Sequence, residues 1–269
     1  MIGVFDSGVG GLSVWREIVR ELPDVPTLYV ADQAHVPYGP RPLEEVRRFA
    51  EGITRFLLAQ GATVVVLACN TASAAALHYL RAVFPQVPFV GMEPAVKPAV
   101  QRTRNGRVAV IATPATFQGE LFASLLERFA RDVRVIPQVC PGLVEAVEAG
   151  ALDTPETEAL LRRCLEPLLA TGIDELVLGC THYPFLRPLI ERTVGPGVEV
   201  IDPAPAVARQ VRRVLENRRA GGKPARHTFF TTGDPARFAS ALERLVGMRA
   251  EIQALHWAGD EISCTAPSQ

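Results

Sequence analysis

Two cysteines stand out among the residues capable of chemistry, because each ends a short apolar run and precedes polar, hydrogen-bonding residues. They are Cys69 in Ala68-Cys69-Asn70-Thr71 and Cys180 in Gly179-Cys180-Thr181-His182. A free thiol titrates near about 8.5 and the N-terminus of a helix favours its thiolate, so a strand-cysteine-helix junction is where cysteine becomes a usable base. Both cysteines are expected at such junctions. The backbone N–H groups of Asn70, Thr71, Thr181 and His182 would then face one cleft, and N–H groups free at a helix start can hold a carboxylate without a cationic side chain. Inverting a carbon centre requires a base on one face and an acid on the other, both matched to the working pH. Two similarly placed thiols meet that requirement. Asp6, ending the first apolar run, can lie beside Cys69, and His182 can accept or relay the proton of Cys180. Alone, each cysteine would read as a small buried hydrophobe, and Asp6-Ser7 as a helix cap, a role compatible with a catalytic one.

The elements that must position these groups follow from short apolar runs alternating with helical periodicity, the pattern of parallel strands joined by helical crossovers. Strands are expected at 2–5, 27–31, 63–68 and 87–90, with helices after Gly11, over 43–60, and from Asn70 to about residue 84. The order then repeats. Runs at 108–112, 134–139 and 175–179 lead into Thr113-Pro114-Ala115-Thr116, Cys140-Pro141 and Cys180-Thr181-His182. Cys69 and Cys180 are 111 positions apart, and Pro94 and Pro203, in similar acidic-Pro-Ala segments, are 109 apart. Landmarks that recur in order at near-constant offset mark an internal repeat. The expected fold class is α/β, with two pseudo-symmetric doubly wound lobes of mainly parallel sheet. Each lobe would present one cysteine at the carboxyl end of a central strand, placing an active site in the cleft between them. After an Arg-rich, Gly-Gly-containing stretch come a further strand at 227–232 and a helix at 235–246, and the last residues read as frayed.

Composition narrows the partners. The 269 residues are 48% apolar, enough for a large core. Lys+Arg 28 against Asp+Glu 29 leaves a net charge of -1, which gives no long-range field for nucleic acid or an anionic membrane. A small-molecule substrate is expected instead. No basic n-region opens the chain and no apolar stretch approaches the roughly 20 residues that span a bilayer, so a soluble, cytoplasmic protein is expected. Five cysteines without framework spacing imply reduced thiols. Cys140, Cys164 and Cys264 read as structural.

Other chemistries fit less of the pattern. Gly8-Val9-Gly10-Gly11 after a strand, with Asp32 ending the next, has the outline of a dinucleotide fingerprint, but Ser13 stands where its third glycine belongs. Zinc bound by Cys69, Cys180 and His182 would lack an evident fourth ligand, and no metal is expected. A pyridoxal-phosphate enzyme needs a Schiff-base lysine, and only Lys97 and Lys223 exist, each followed by proline. The basic residues between Arg212 and Arg226 read as a solvated helix end and loop.

The segments Phe-Asp-Ser-Gly-Val-Gly-Gly-Leu (5–12), Val-Pro-Tyr-Gly (36–39), Ala-Cys-Asn-Thr-Ala (68–72) and Gly-Cys-Thr-His-Tyr-Pro (179–184) resemble the signature segments of the glutamate racemases. The cysteine motifs alone would fit the wider aspartate/glutamate racemase superfamily, whose aspartate or other acidic amino-acid racemases are the alternative. The resemblance implies a cofactor-independent interconversion of L- and D-glutamate that supplies peptidoglycan synthesis. It implies Cys69 as the base toward D-glutamate and Cys180 toward L-glutamate, assisted by Asp6 and His182. Asp6, Ser7, Tyr38, Gly39, Asn70, Thr71, Thr181 and His182 would contact substrate. Asp32 and Glu148 match supporting acidic positions, and Thr113 and Thr116 would add hydroxyls from the second lobe. The resemblance further implies lobes of 1–96 with 206–269 and of 97–205, and a homodimer. Some members carry an N-terminal extension that binds a cell-wall precursor as activator; here the first strand begins at Ile2, so that regulation is not expected.

Overall fold

A computed structural model describes residues 1–215 and 225–264. Part of the basic stretch, with Lys223, and the last five residues lie outside the described residues. The first half runs β1 (Ile2–Asp6), α1 (Leu12–Glu21), β2 (Thr27–Ala31), α2 (Leu43–Ala59), β3 (Val64–Leu67), α3 (Asn70–Val83), β4 (Phe89–Gly91) and α4 (Val96–Arg102). The second continues with β5 (Arg107–Ala112), α5 (Pro114–Gln118), α6 (Glu120–Phe129), β6 (Arg134–Val139), α7 (Leu143–Ala149), α8 (Pro155–Leu169), β7 (Glu175–Gly179), a 3-10 turn (Tyr183–Leu186), α9 (Arg187–Val194) and β8 (Glu199–Ile201). The chain ends with α10 (Ala204–Leu215), β9 (His227–Thr231), α11 (Pro235–Val246), β10 (Ile252–Ala254), β11 (His256–Ala258) and β12 (Glu261–Ser263).

Strand order displays the repeat directly. Six parallel strands form one sheet in the order β10-β9-β2-β1-β3-β4, and four form the other in the order β6-β5-β7-β8. The run β2-β1-β3-β4 thus has its counterpart in β6-β5-β7-β8, and the strands before Cys69 and Cys180, β3 and β7, hold equivalent places. Both are buried throughout, as apolar strands covered on both faces must be. Helix starts follow local chemistry. Thr154 accepts from the Thr157 N–H at 3.3 Å before Pro155, and Asp234 accepts from the N–H groups of Ala236 and Arg237 before Pro235. One apolar cluster includes Val4 and Val66 of the first sheet together with Ile111 and Leu178 of the second.

Several sequence expectations are corrected. The strand expected at 87–90 begins two residues later, because Pro88 has no N–H to donate and serves the sheet only through its carbonyl, which accepts from Val65. Beyond α11, β10 extends the first sheet beside β9 and β11 pairs antiparallel with β12, while the frayed end expected for the last residues falls on 265–269, outside the described residues. Cys180 is followed by a 3-10 turn, where an α-helix was expected. Cys140 and Cys164 form a disulfide, with Cα atoms 5.5 Å apart, where reduced thiols were expected. Their spacing along the chain conceals that the end of β6 meets the buried face of α8. Among the described residues no helix is long and apolar enough to cross a membrane.

Glu175, at the start of β7, is only 4% exposed, and its Oε2 has no hydrogen-bond partner among the described residues. Burial, then the charges of Glu199 and Asp174, raise its pKa to about 7. In the unfolded chain a glutamate titrates near about 4.3. The folded state therefore holds the proton more tightly, and Glu175 costs stability progressively as pH rises from that value to about 7. Glu175→Gln is expected to raise Tm above the parent at pH 8, with the advantage fading toward pH 4.5, as calorimetry across pH would show.

Candidate active site

The loops that leave the carboxyl ends of the two sheets converge on a cleft of about 280 Å³. From the first sheet come Ser7 after β1, Pro37, Tyr38 and Gly39 after β2, and Cys69, Asn70 and Thr71 after β3. From the second come Thr113 after β5, Val144 of α7, and Cys180, Thr181 and His182 after β7. Ten of the residues singled out in the sequence thus line one cavity. The other four stand one hydrogen bond behind it: Asp6, Asp32, Glu148 and Thr116.

Cys69 caps α3 in an extended conformation, and its Sγ accepts from the Ala72 N–H at 3.4 Å. The helix start therefore does favour the thiolate, as expected, but it is outweighed. Burial and the Asp6 carboxylate push the Cys69 thiol well above its usual range. Asp6 is fully buried, and its Oδ2 accepts from the N–H groups of Gly8 at 3.2 Å and Gly11 at 2.9 Å, while the Thr181 hydroxyl donates to Oδ1 at 3.4 Å. Burial also raises the Asp6 carboxyl, although His182 and the Gly11 N–H oppose the shift. The Cys69 side of the cleft is thus a place where protons are held.

On the other side, Cys180 Sγ lies 3.7 Å from His182 Nδ1, and His182 Nε2 lies 2.8 Å from Glu148 Oε1. Burial works against a charged imidazole, but the bonds to Cys180 and Glu148 prevail and hold the His182 pKa well above its ordinary value. Burial works against the Glu148 carboxylate as well. It is held below its usual range by His182, by the Val9 N–H at 2.8 Å and by the Gln33 amide at 3.0 Å. The glycine-rich loop finds its explanation here. A Cβ on Gly8 would collide with the Glu148 carboxylate, and one on Gly10 with the His182 ring, so the loop is glycine-rich to let these two groups approach.

The remaining groups fall into place around the two thiols. Asn70 is buried in the cleft wall, and neither Oδ1 nor Nδ2 of its amide has a hydrogen-bond partner among the described residues. Thr71 and Thr113 are joined hydroxyl to hydroxyl at 2.8 Å across the cleft, and Thr113 meets Thr116 at 3.0 Å. Tyr38 donates to Asp32 at 2.6 Å. Lys97 lies in α4 over the Phe129 ring and takes no part in the cleft wall. The wall residues that sequence reasoning missed are Pro37 and Val144. Pro37 was inside a quoted motif, whereas Val144 carries no sequence signal.

Residues 2–211 match the family described as Asp/Glu/Hydantoin racemase. A glutamate racemase of Ectopseudomonas mendocina is 54% identical over 93% of this chain and 96% of its own length. The crystal structure of a glutamate racemase isoform from Bacillus anthracis superposes with a TM-score of 0.86 at 35% identity, covering 94% of this chain and 96% of that one. That of the Escherichia coli glutamate racemase, in complex with L-glutamate and the activator UDP-MurNAc-Ala, gives 0.86 at 32% identity over 96% and 98%. The fold is that of the amino-acid racemases, a class of isomerases. Within that class the chain belongs to the glutamate racemase family.

The Glu148–His182 pair generates a prediction. Because the folded pKa of His182 lies above the value of about 6.5 for a free imidazole, the pair's contribution to stability is complete below that pH and is lost as pH rises through the folded pKa. Glu148→Gln is expected to lower the His182 pKa, read from its imidazole resonances. It should also flatten the loss of stability on the alkaline side.

Proposed function

We propose that the protein interconverts L- and D-glutamate without a cofactor, with Cys69 and Cys180 exchanging the α-proton from opposite faces. The observation that carries this reading is that two buried thiols end the equivalent strands β3 and β7 and line one small cleft, one beside a carboxyl group and the other beside an imidazole. Cys180 takes the α-proton of L-glutamate and Cys69 delivers one to the opposite face; the reverse direction exchanges the roles. The high proton affinity of Cys69 suits it to be the acid of the resting enzyme. After turnover the proton gained at Cys180 and that lost at Cys69 are restored through His182 and Asp6.

Substrate binding uses the cleft wall. The unpartnered amide of Asn70 can donate to a carboxylate and accept from an ammonium. Ser7, Tyr38, Gly39, Thr71, Thr181 and His182 provide the surrounding contacts, with Asp6 behind them. Asp32 and Glu148 hold Tyr38 and His182 in place, and Thr113 and Thr116 tie Thr71 to the second half. The lobes are 1–96 with 206–269 and 97–205, a division supported by the pairing of β9 with β2. The enzyme works in the cytoplasm as a homodimer, and its D-glutamate feeds peptidoglycan synthesis.

Incubation with L-glutamate or L-aspartate in deuterium oxide, followed by α-hydrogen exchange and optical rotation, tests the reading. Exchange and racemisation are expected with glutamate; exchange with aspartate alone would transfer the reaction to the other acid. Cys69→Ala and Cys180→Ala are each expected to lower kcat by about 10³-fold with the fold intact, a loss within the usual range for general acid–base groups. Full activity in either variant rules out the two-thiol scheme.

A further inference from the structure

Asp32 is fully buried, and its carboxylate gathers partners from three separate stretches of chain. The Tyr38 hydroxyl donates to Oδ2 at 2.6 Å, and His35 Nδ1 lies 2.9 Å from the same oxygen. The Thr232 hydroxyl and the Trp257 indole N–H each donate to Oδ1 at 2.8 Å. A carboxylate has about four lone-pair sites, so these four groups saturate it and define its orientation.

Of these partners, Tyr38 lines the cleft, whereas Trp257 belongs to β11 and sits outside it. The Trp257 ring also closes an aromatic group with His35 and Phe49: the His35 ring stacks on Phe49 at 3.8 Å, and Trp257 lies 5.3 Å from the first and 5.7 Å from the second. One indole thus touches the 32–39 segment through its N–H and through its ring. The hairpin that carries it lies beyond residues 2–211, the span that matches the racemase family.

We propose that Trp257 is a positioning residue for the substrate cleft, acting through Asp32 to fix the hydroxyl and ring of Tyr38. The inference deepens the racemase reading and rests on it for the identity of the ligand. Without the indole N–H, a buried carboxylate that has lost one of its donors turns toward those that remain, and the acceptor geometry offered to Tyr38 changes with it. The effect falls on ligand binding, because among the described residues neither thiol is hydrogen-bonded to Asp32 or Trp257.

Trp257→Phe keeps an aromatic ring against His35 and Phe49 and removes the donor. The expected result is a rise in KM for glutamate of about fivefold, the scale of one lost hydrogen bond, with kcat changed less than KM. Amide hydrogen exchange of the ligand-free protein should be faster at residues 35–39 and unchanged around Cys180. In a double-mutant cycle with Tyr38→Phe, the KM effects should be less than additive. Unchanged exchange at 35–39 overturns the inference whatever the activity, and so does full additivity in the cycle. A parent protein that fails to racemise glutamate, while the exchange difference is present, leaves the positioning role standing and overturns only the functional reading.

Discussion

Glu148 is a carboxylate shared between the two halves of the molecule. It accepts the Val9 N–H from the loop after β1, the Gln33 amide from the loop after β2, and the His182 ring from the loop after β7. A partly buried carboxylate is costly unless its lone pairs are occupied, and here the occupants come from both halves. The ionised group can be satisfied only when the loops that carry Asp6 and Cys180 stand in one relative position. The Gly8-Val9-Gly10 loop follows from that demand, since side chains at the two glycines would displace the carboxylate or the imidazole. Gln33 extends the same arrangement outward, accepting from the Thr231 hydroxyl at 2.9 Å while it donates to Glu148.

Around this junction the two thiols sit in equivalent topological places but in different chemical ones. Cys69 begins an α-helix and lies beside a carboxyl group, so burial and neighbouring negative charge keep its proton in place. Cys180 precedes a 3-10 turn that starts at Tyr183, and it lies beside an imidazole whose positive charge is sustained by Glu148. Asp6 and His182 also act on one another: the imidazolium opposes the upward shift of Asp6. The two half-sites therefore form one coupled set of proton-holding groups, in which a change at either thiol is felt at the other.

Much of this was legible in the sequence, for identifiable reasons. Parallel strands buried on both faces leave continuous apolar runs such as Val64–Leu67, so the central strands of both sheets could be read, whereas the edge strands β8 and β10 could not, and the repeat of order showed that Cys69 and Cys180 are counterparts. The cleft wall was legible because its residues follow those strands closely: Ser7, Asn70, Thr71 and Thr181 lie within four residues of a strand end. What escaped is what depends on contacts between distant stretches of chain. Val144 reaches the cleft from a helix whose own sequence is ordinary, Cys140 meets Cys164 only once β6 and α8 have packed, and Trp257 reaches Asp32 across more than two hundred residues. The raised proton affinity of Cys69 belongs to the same group. The helix start was visible locally, but the burial and the carboxyl group that outweigh it were not.

The duplication explains why two thiols face one cleft, yet it cannot by itself make a working acid–base pair. Two identical half-sites would give neither thiol a preference for the role of acid or of base. The groups that break the symmetry differ between the two halves: Asp6, at the end of β1 with its two backbone donors, on one side, and His182 with Glu148 on the other. Asp32 gives the first side a further distinction, because its anchors, Thr232 and Trp257, come from the chain beyond the repeat. The segment that follows the duplicated sheets therefore extends the first sheet through β9 and β10 and also supplies groups that one half-site has and the other lacks. Topology places the thiols, and the unequal groups behind them give the two half-sites different surroundings.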